Sequence, residues 1–160
     1  MSEIHRLLDQ LEREHSGDPW HGSPLRDILD GVDAIQASRK PIPGGHSIWE
    51  LVLHITGWKR EVASRTGGAP AGMPADGDWP DVGEPTDAGW KAALQRLEEA
   101  HRALIAAIEK LPEATLFEAT NDPRNRPLGA GVSYYVLLHG VVQHDVYHAG
   151  QIALLKNAVA

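Results

Sequence analysis

His144 and His148 stand four residues apart in a C-terminal segment that is otherwise almost wholly apolar. At about 100° per residue they differ by about 40° around a helix, with Cβ atoms about 5–6 Å apart. Two imidazoles so placed can converge on one metal ion, as the paired histidines of zinc-protease helices do. The residue after His144 is Asp145 rather than the glutamate of that motif, and it projects about 100° away, so a thermolysin-type mechanism is not expected. Taken alone, the pair is equally compatible with two polar positions on a helix face. His54 is the third candidate. It sits at the edge of an apolar stripe of Ile48, Leu51, Val52, Ile55, Trp58 and Val62, a position that a helical bundle turns inward. There it would act either as a third ligand or as a core histidine bonded to a backbone carbonyl. Three histidines and an open fourth position are the pattern of a catalytic site, whereas structural zinc sites fill all four.

Composition narrows the chemistry further. The 160 residues contain nine histidines and no cysteine, which excludes disulfides, thiolate nucleophiles and iron–sulfur clusters of the chain's own, and leaves imidazole and carboxylate as ligands for any transition metal. A formal charge of −7 argues against nucleic acid as a partner, because duplex binding relies on Lys and Arg displacing counterions. No apolar run approaches the roughly 20 residues that span a bilayer, and no secretory signal is visible, so a cytoplasmic protein is expected.

The elements that must position these histidines read as helices, in a single domain over 1–160. Ile4, Leu7, Leu8 and Leu11 mark a first helix over residues 2–15, and a short helical stretch carries Leu25, Ile28, Leu29 and Val32. Ser47-Ile48-Trp49-Glu50 is a capping box that opens a second long helix. Residues 67–85 hold five Gly, four Pro and three Asp, too many breakers for a regular element, and form a long crossover connection. Thr86 caps a third helix with a seam at Trp90, Leu94, Leu97, His101, Leu104, Ile108 and Leu111. After a polar loop with Arg124 and Arg126, a last helix spans residues 132–157, apolar all round and therefore expected to be surrounded by its neighbours. The fold class is all-α, a four-helix bundle.

The strings HSIWELVLHI over residues 46–55 and HDVYHAGQI over residues 144–152 resemble the two signature segments of the DinB/YfiT-like family of metal-binding helical bundles. The resemblance runs through nearly the whole chain. It implies a bundle in up-down-down-up order, often homodimeric, with zinc or nickel held by three histidines that match His54, His144 and His148. It also implies activity: members are described as metal-dependent hydrolases, and some relatives as thiol-dependent transferases or isomerases.

Around such a centre, Glu50 and Gln151 each lie one turn from a ligand histidine, placed to accept its second ring N–H. Their alternatives are a capping carboxylate and a solvated amide. Trp20, Trp58 and Tyr147 would wall a pocket or serve as plain core. His101, in the third helix seam, is a fourth ligand, a neighbour of the site or a hydrogen-bonded core residue. His21 would line the pocket or lie in solvent. His46 would help cap the second helix, His139 faces elsewhere, and His5 and His15 read as surface residues. Arg124 and Arg126 would meet an anionic substrate at the bundle mouth. Without an evident general base, activation of a low-molecular-weight thiol is favoured over hydrolysis. The rival is a bundle that binds metal or a small ligand without turnover, for which a closed site with a fourth protein ligand would be the sign.

Overall fold

The computed structural model of the chain describes residues 2–122 and 132–160, so Arg124 and Arg126 lie outside the described residues. Four long helices dominate: α1 (Glu3–Ser16), α4 (Ile48–Thr66), α5 (Asp87–Glu109) and α6 (Tyr134–Val159). Two short helices, α2 (Leu25–Leu29) and α3 (Ala34–Ser38), replace the single short stretch expected there, and a 3-10 turn spans Glu113–Phe117. The break between α2 and α3 has a local cause: Asp33 starts α3 with its own capping box, its side chain accepting from Gln36 N while Gln36 reaches back to the Asp33 amide. Ser47 caps α4 in the same reciprocal way with Glu50, and Thr86 accepts from Gly89 N at the start of α5.

Helix directions follow from which ends share a core. Ile48, Trp49, Leu51 and Val52 of α4 pack with Trp90, Ala93 and Leu97 of α5 and with Ile152, Leu155 and Val159 of α6. At the other end, Val62 meets Leu104 and Ile108, the first turns of α6 at Leu137, Leu138 and Val141, and the start of α1 at Ile4 and Leu7. α4 and α5 are therefore parallel, and α1 and α6 run against them, which is the up-down-down-up bundle. The parallel pair requires the connection over residues 67–86. Arg65 Nη2 donates to Gly72 O at 2.6 Å and Gly72 N donates to Glu61 Oε1 at 2.8 Å, tying the connection back onto α4. Gly57 lets it lie close: a Cβ there would stand 3.1 Å from Pro74.

α6 departs from expectation. It is not enclosed, because Val136, Tyr147 and Leu154 are exposed along one face. The two apolar clusters also do not merge. Between them lies a layer of buried polar side chains, Glu14, His15, His54, Lys59, His101, Asp145 and His148, drawn from all four long helices. Buried polar groups need partners, so this layer is where the chemistry of the fold concentrates.

Candidate metal centre

Half of the polar layer opens to solvent. α4 contributes His54, and α6 contributes His144 and His148, and one ring nitrogen from each lies within 4.8 Å of the others, a group able to hold a metal ion. No fourth His, Cys, Asp or Glu joins that group among the described residues. His54 and His148 are buried and His144 is half-buried. Each ring is fixed through Nδ1: His54 donates to Asp78 O at 2.7 Å, His148 to Gln151 Oε1 at 2.6 Å, and His144 to Asp145 Oδ1 at a longer 3.4 Å. A neutral imidazole protonated at Nδ1 carries a bare lone pair at Nε2. His54 Nε2 and His144 Nε2 nevertheless face each other at 3.0 Å. Two lone pairs at that distance repel unless a proton or a metal ion lies between them. Tetrahedral Zn–N bonds of about 2.0–2.1 Å would put ligand nitrogens about 3.3 Å apart, so the donor set fits a divalent metal.

Protonation favours the same role. Burial lowers His54, outweighing the Asp78 carbonyl, and burial together with its two histidine neighbours lowers His148 to about 4. His148 therefore stays neutral, as a ligand must, well below the usual histidine value, and His54 is shifted in the same direction.

The cavity at this site measures about 560 Å³ and is walled by Trp58, Trp79, Tyr147, His46, Asp78 and Gln151 around the three histidines. Trp79 and Asp78 come from the crossover connection and were not legible as site residues. Trp79 stacks between His54 (4.0 Å between centroids) and His46 (3.4 Å), and Asp78 Oδ1 accepts from Trp58 Nε1 at 2.8 Å. The connection is thus the outer wall of the site.

Of the other expected residues, Trp58, Tyr147 and Gln151 are at the cavity. Glu50 is not beside His54: as the third residue of α4 its carboxylate folds back to Ser47 N (2.8 Å) and to Lys40 Nζ (2.7 Å). Trp20 and His21 are exposed in the turn after α1, and Trp20 has no neighbour to cover it, so neither lines the pocket. His46 packs on Trp79, with Glu50 Oε2 3.5 Å from its Nδ1. His139 lies against Tyr135, away from the site.

His101 is not a fourth ligand, and His15 is no surface residue. They stack on each other at 3.8 Å in the closed half of the polar layer, where His101 Nδ1 lies 3.2 Å from Lys59 Nζ and His15 Nε2 lies 2.9 Å from Glu98 Oε1. His15 was missed because it is the last inward position of α1, one turn beyond Leu11, where a polar residue looks like a fraying end.

These closed-half groups predict a stability optimum in pH. Burial and the adjacent Lys59 charge lower His101 to about 2 and His15 to about 4, while burial raises Glu14 to about 8. Between pH 6.5 and 4 the unfolded chain protonates both histidines and the fold does not, so stability falls on acidification by up to about 1.4 kcal/mol per pH unit for each. Glu14 acts oppositely: the fold holds a proton that the unfolded chain releases between about pH 4.5 and 8, so its contribution is lost as pH rises. Two histidines outweigh one glutamate below pH 6.5, and above it only Glu14 remains. The thermal midpoint of chelator-treated protein should therefore peak near pH 6.5; a midpoint rising steadily to pH 8 would contradict these protonation states.

The family profile of the DinB superfamily matches residues 20–152. The crystal structure of the conserved protein of locus from Enterococcus faecalis superposes with a TM-score of 0.73 at 16% identity, covering 99% of this chain and 98% of that one, which shows a shared fold. No curated protein matches the sequence. The chain belongs to the DinB superfamily.

Proposed function

From this superfamily membership, we propose that the chain holds one divalent transition metal, zinc or nickel, on His54, His144 and His148, and uses it to activate a low-molecular-weight thiol, or water, for attack on a small substrate. The observation that carries the reading is the convergence of three imidazoles from two helices, with His54 Nε2 and His144 Nε2 3.0 Å apart and an oxygen acceptor beside Nδ1 of each ring. When bound, the ion supplies positive charge that three neutral ligands leave uncompensated, which favours the anionic form of a thiol or water and polarises an electrophile.

The chain's own residues do the rest. Asp78, Asp145 and Gln151 hold the three rings in one tautomer. Trp58, Trp79 and Tyr147 offer aromatic faces to an apolar substrate portion and restrict water. The carboxylate at the cavity, Asp78, is already engaged by Trp58 Nε1 and stands 3.2 Å from His54 Nδ1. A thiol, whose ordinary pKa of about 8.5 is far below that of water, needs less help from a base to ionise and is the favoured nucleophile.

The same reading takes the chain as one domain in the cytoplasm, where small thiols are kept reduced, with a small molecule as its partner. Val136, Tyr147 and Leu154 form one exposed row on α6 and are the face on which a second copy would pack in a homodimer. The alternative, a metal- or ligand-binding bundle without turnover, loses ground because three donors beside an open cavity leave room for a substrate.

Metal-loaded protein should accelerate conjugation of at least one small thiol to an electrophile, or hydrolysis of an ester or amide, and chelated protein should not. Equal rates with and without metal across a panel of thiols and hydrolase substrates would leave the non-catalytic binding protein.

A further inference from the structure

The closed half of the polar layer also offers a donor set: Glu14, His15 and His101 each place a ligand-type atom within 4.8 Å of the others. A cation already sits among them. Lys59 is wholly buried, and its Nζ lies 2.6 Å from Asp145 Oδ2, 3.1 Å from Glu14 Oε1 and 3.2 Å from His101 Nδ1. An ammonium has three N–H donors and no acceptor; here it donates to Glu14 Oε1, faces His101 Nδ1 and is ion-paired with Asp145 Oδ2. These come from α1, α5 and α6, while Lys59 itself comes from α4, so one nitrogen joins all four long helices. Burial opposes the charge on Lys59, and the Asp145 carboxylate is the largest influence against that effect, so Lys59 is raised above the ordinary lysine value.

Asp145 is the link to the metal centre. It too is wholly buried; Oδ2 faces Lys59, and Oδ1 faces His144 Nδ1 at 3.4 Å. His54 and His148 have short bonds to a carbonyl and an amide, but His144 depends on this long contact with its own chain neighbour. Adjacent helical residues project about 100° apart, so a carboxylate turned toward the preceding side chain needs an anchor on its other oxygen.

We propose that Lys59 is a positioning residue for the metal centre: its ammonium fixes Asp145, and Asp145 fixes the His144 ring so that Nε2 points to the metal. The Lys59 ammonium fills the place that a second metal ion would take in the closed half. This inference rests on the three-histidine reading above, and the test separates the two.

Metal affinity is measured by competition with a chelating indicator, and the ligand field by Co²⁺ absorption, for wild type, Asp145→Asn, Lys59→Met and the double variant. Asp145→Asn keeps the side-chain size and removes the charge. The double variant removes both charges of the pair together, which protects the fold. Expected is a loss of affinity of about 10–100-fold in Asp145→Asn with altered Co²⁺ bands. The double variant should be no weaker than Asp145→Asn, because Lys59 acts through Asp145. A merely structural role would lower the thermal midpoint and leave affinity and spectrum unchanged; wild-type affinity in Asp145→Asn or in the double variant overturns the proposal. Wild type that binds no metal would instead overturn the three-histidine reading itself.

Discussion

Replacing His144 with alanine should take purified protein from one divalent ion per chain to none, and His54→Ala should do the same, whereas His101→Ala should retain the metal. The first two variants leave a two-imidazole site, one donor short of the minimum that holds zinc at catalytic centres. His54 and His144 are also the pair whose Nε2 atoms face each other at 3.0 Å, so removing either removes the lone-pair repulsion that a cation relieves. His101 belongs to the other half of the layer, stacked on His15 beside Lys59. Its loss opens a cavity and leaves one ammonium donor without an acceptor, a cost to stability of about 1–3 kcal/mol. Metal analysis after exhaustive dialysis, paired with a denaturation curve, decides the matter. Undiminished metal in His144→Ala would remove the site; equal loss in His101→Ala would make the two halves one closed centre and take away the support for an enzyme.

Helical periodicity set His144 and His148 one turn apart and, with the Ser47 capping box, put His54 at the inner edge of α4, while the resemblance to the DinB/YfiT-like family is what joined the three as an expected ligand set. Periodicity is absent from the connection over residues 67–85, so nothing there could say that Asp78 and Trp79 fold back over His54. The one available signal was a tryptophan among Gly, Pro and Asp. Hydrophobicity alone misled at Trp20, which is exposed, and at α6, whose apolar surface exceeds what its neighbours cover.

The closed half left a signal of a different kind. Lys59 lies four residues after Ile55 and three before Val62, on the apolar stripe of α4, and Asp145 interrupts an apolar helix. A charge on a core stripe requires a partner of opposite sign, and the two residues meet at 2.6 Å. Their identification as a pair needed the relative placement of α4 and α6, which no local pattern specifies.

Lys59→Ala should be the most damaging single substitution in the chain. It leaves the wholly buried Asp145 with only the distant His144 N–H as partner, either as an unpaired charge or as a carboxyl that has taken up a proton, and it deprives Glu14 and His101 of their donor. Removing one member of a buried ion pair costs about 3–5 kcal/mol, against a total stability of about 5–15 kcal/mol for a typical domain. The urea midpoint should fall sharply at unchanged slope. Lys59→Met combined with Asp145→Asn should recover most of that loss, because paired charges withdrawn together take their desolvation penalty with them. Glu14, held at about 8 by burial, is mostly neutral near pH 7 and adds no uncompensated charge to the double variant. Recovery of stability with continued weak metal binding would separate the two tasks of Lys59: joining the four helices, and aiming His144. A Lys59→Ala protein as stable as wild type would mean that water enters the layer and solvates Asp145, and the ammonium would then hold neither the bundle nor the ligand.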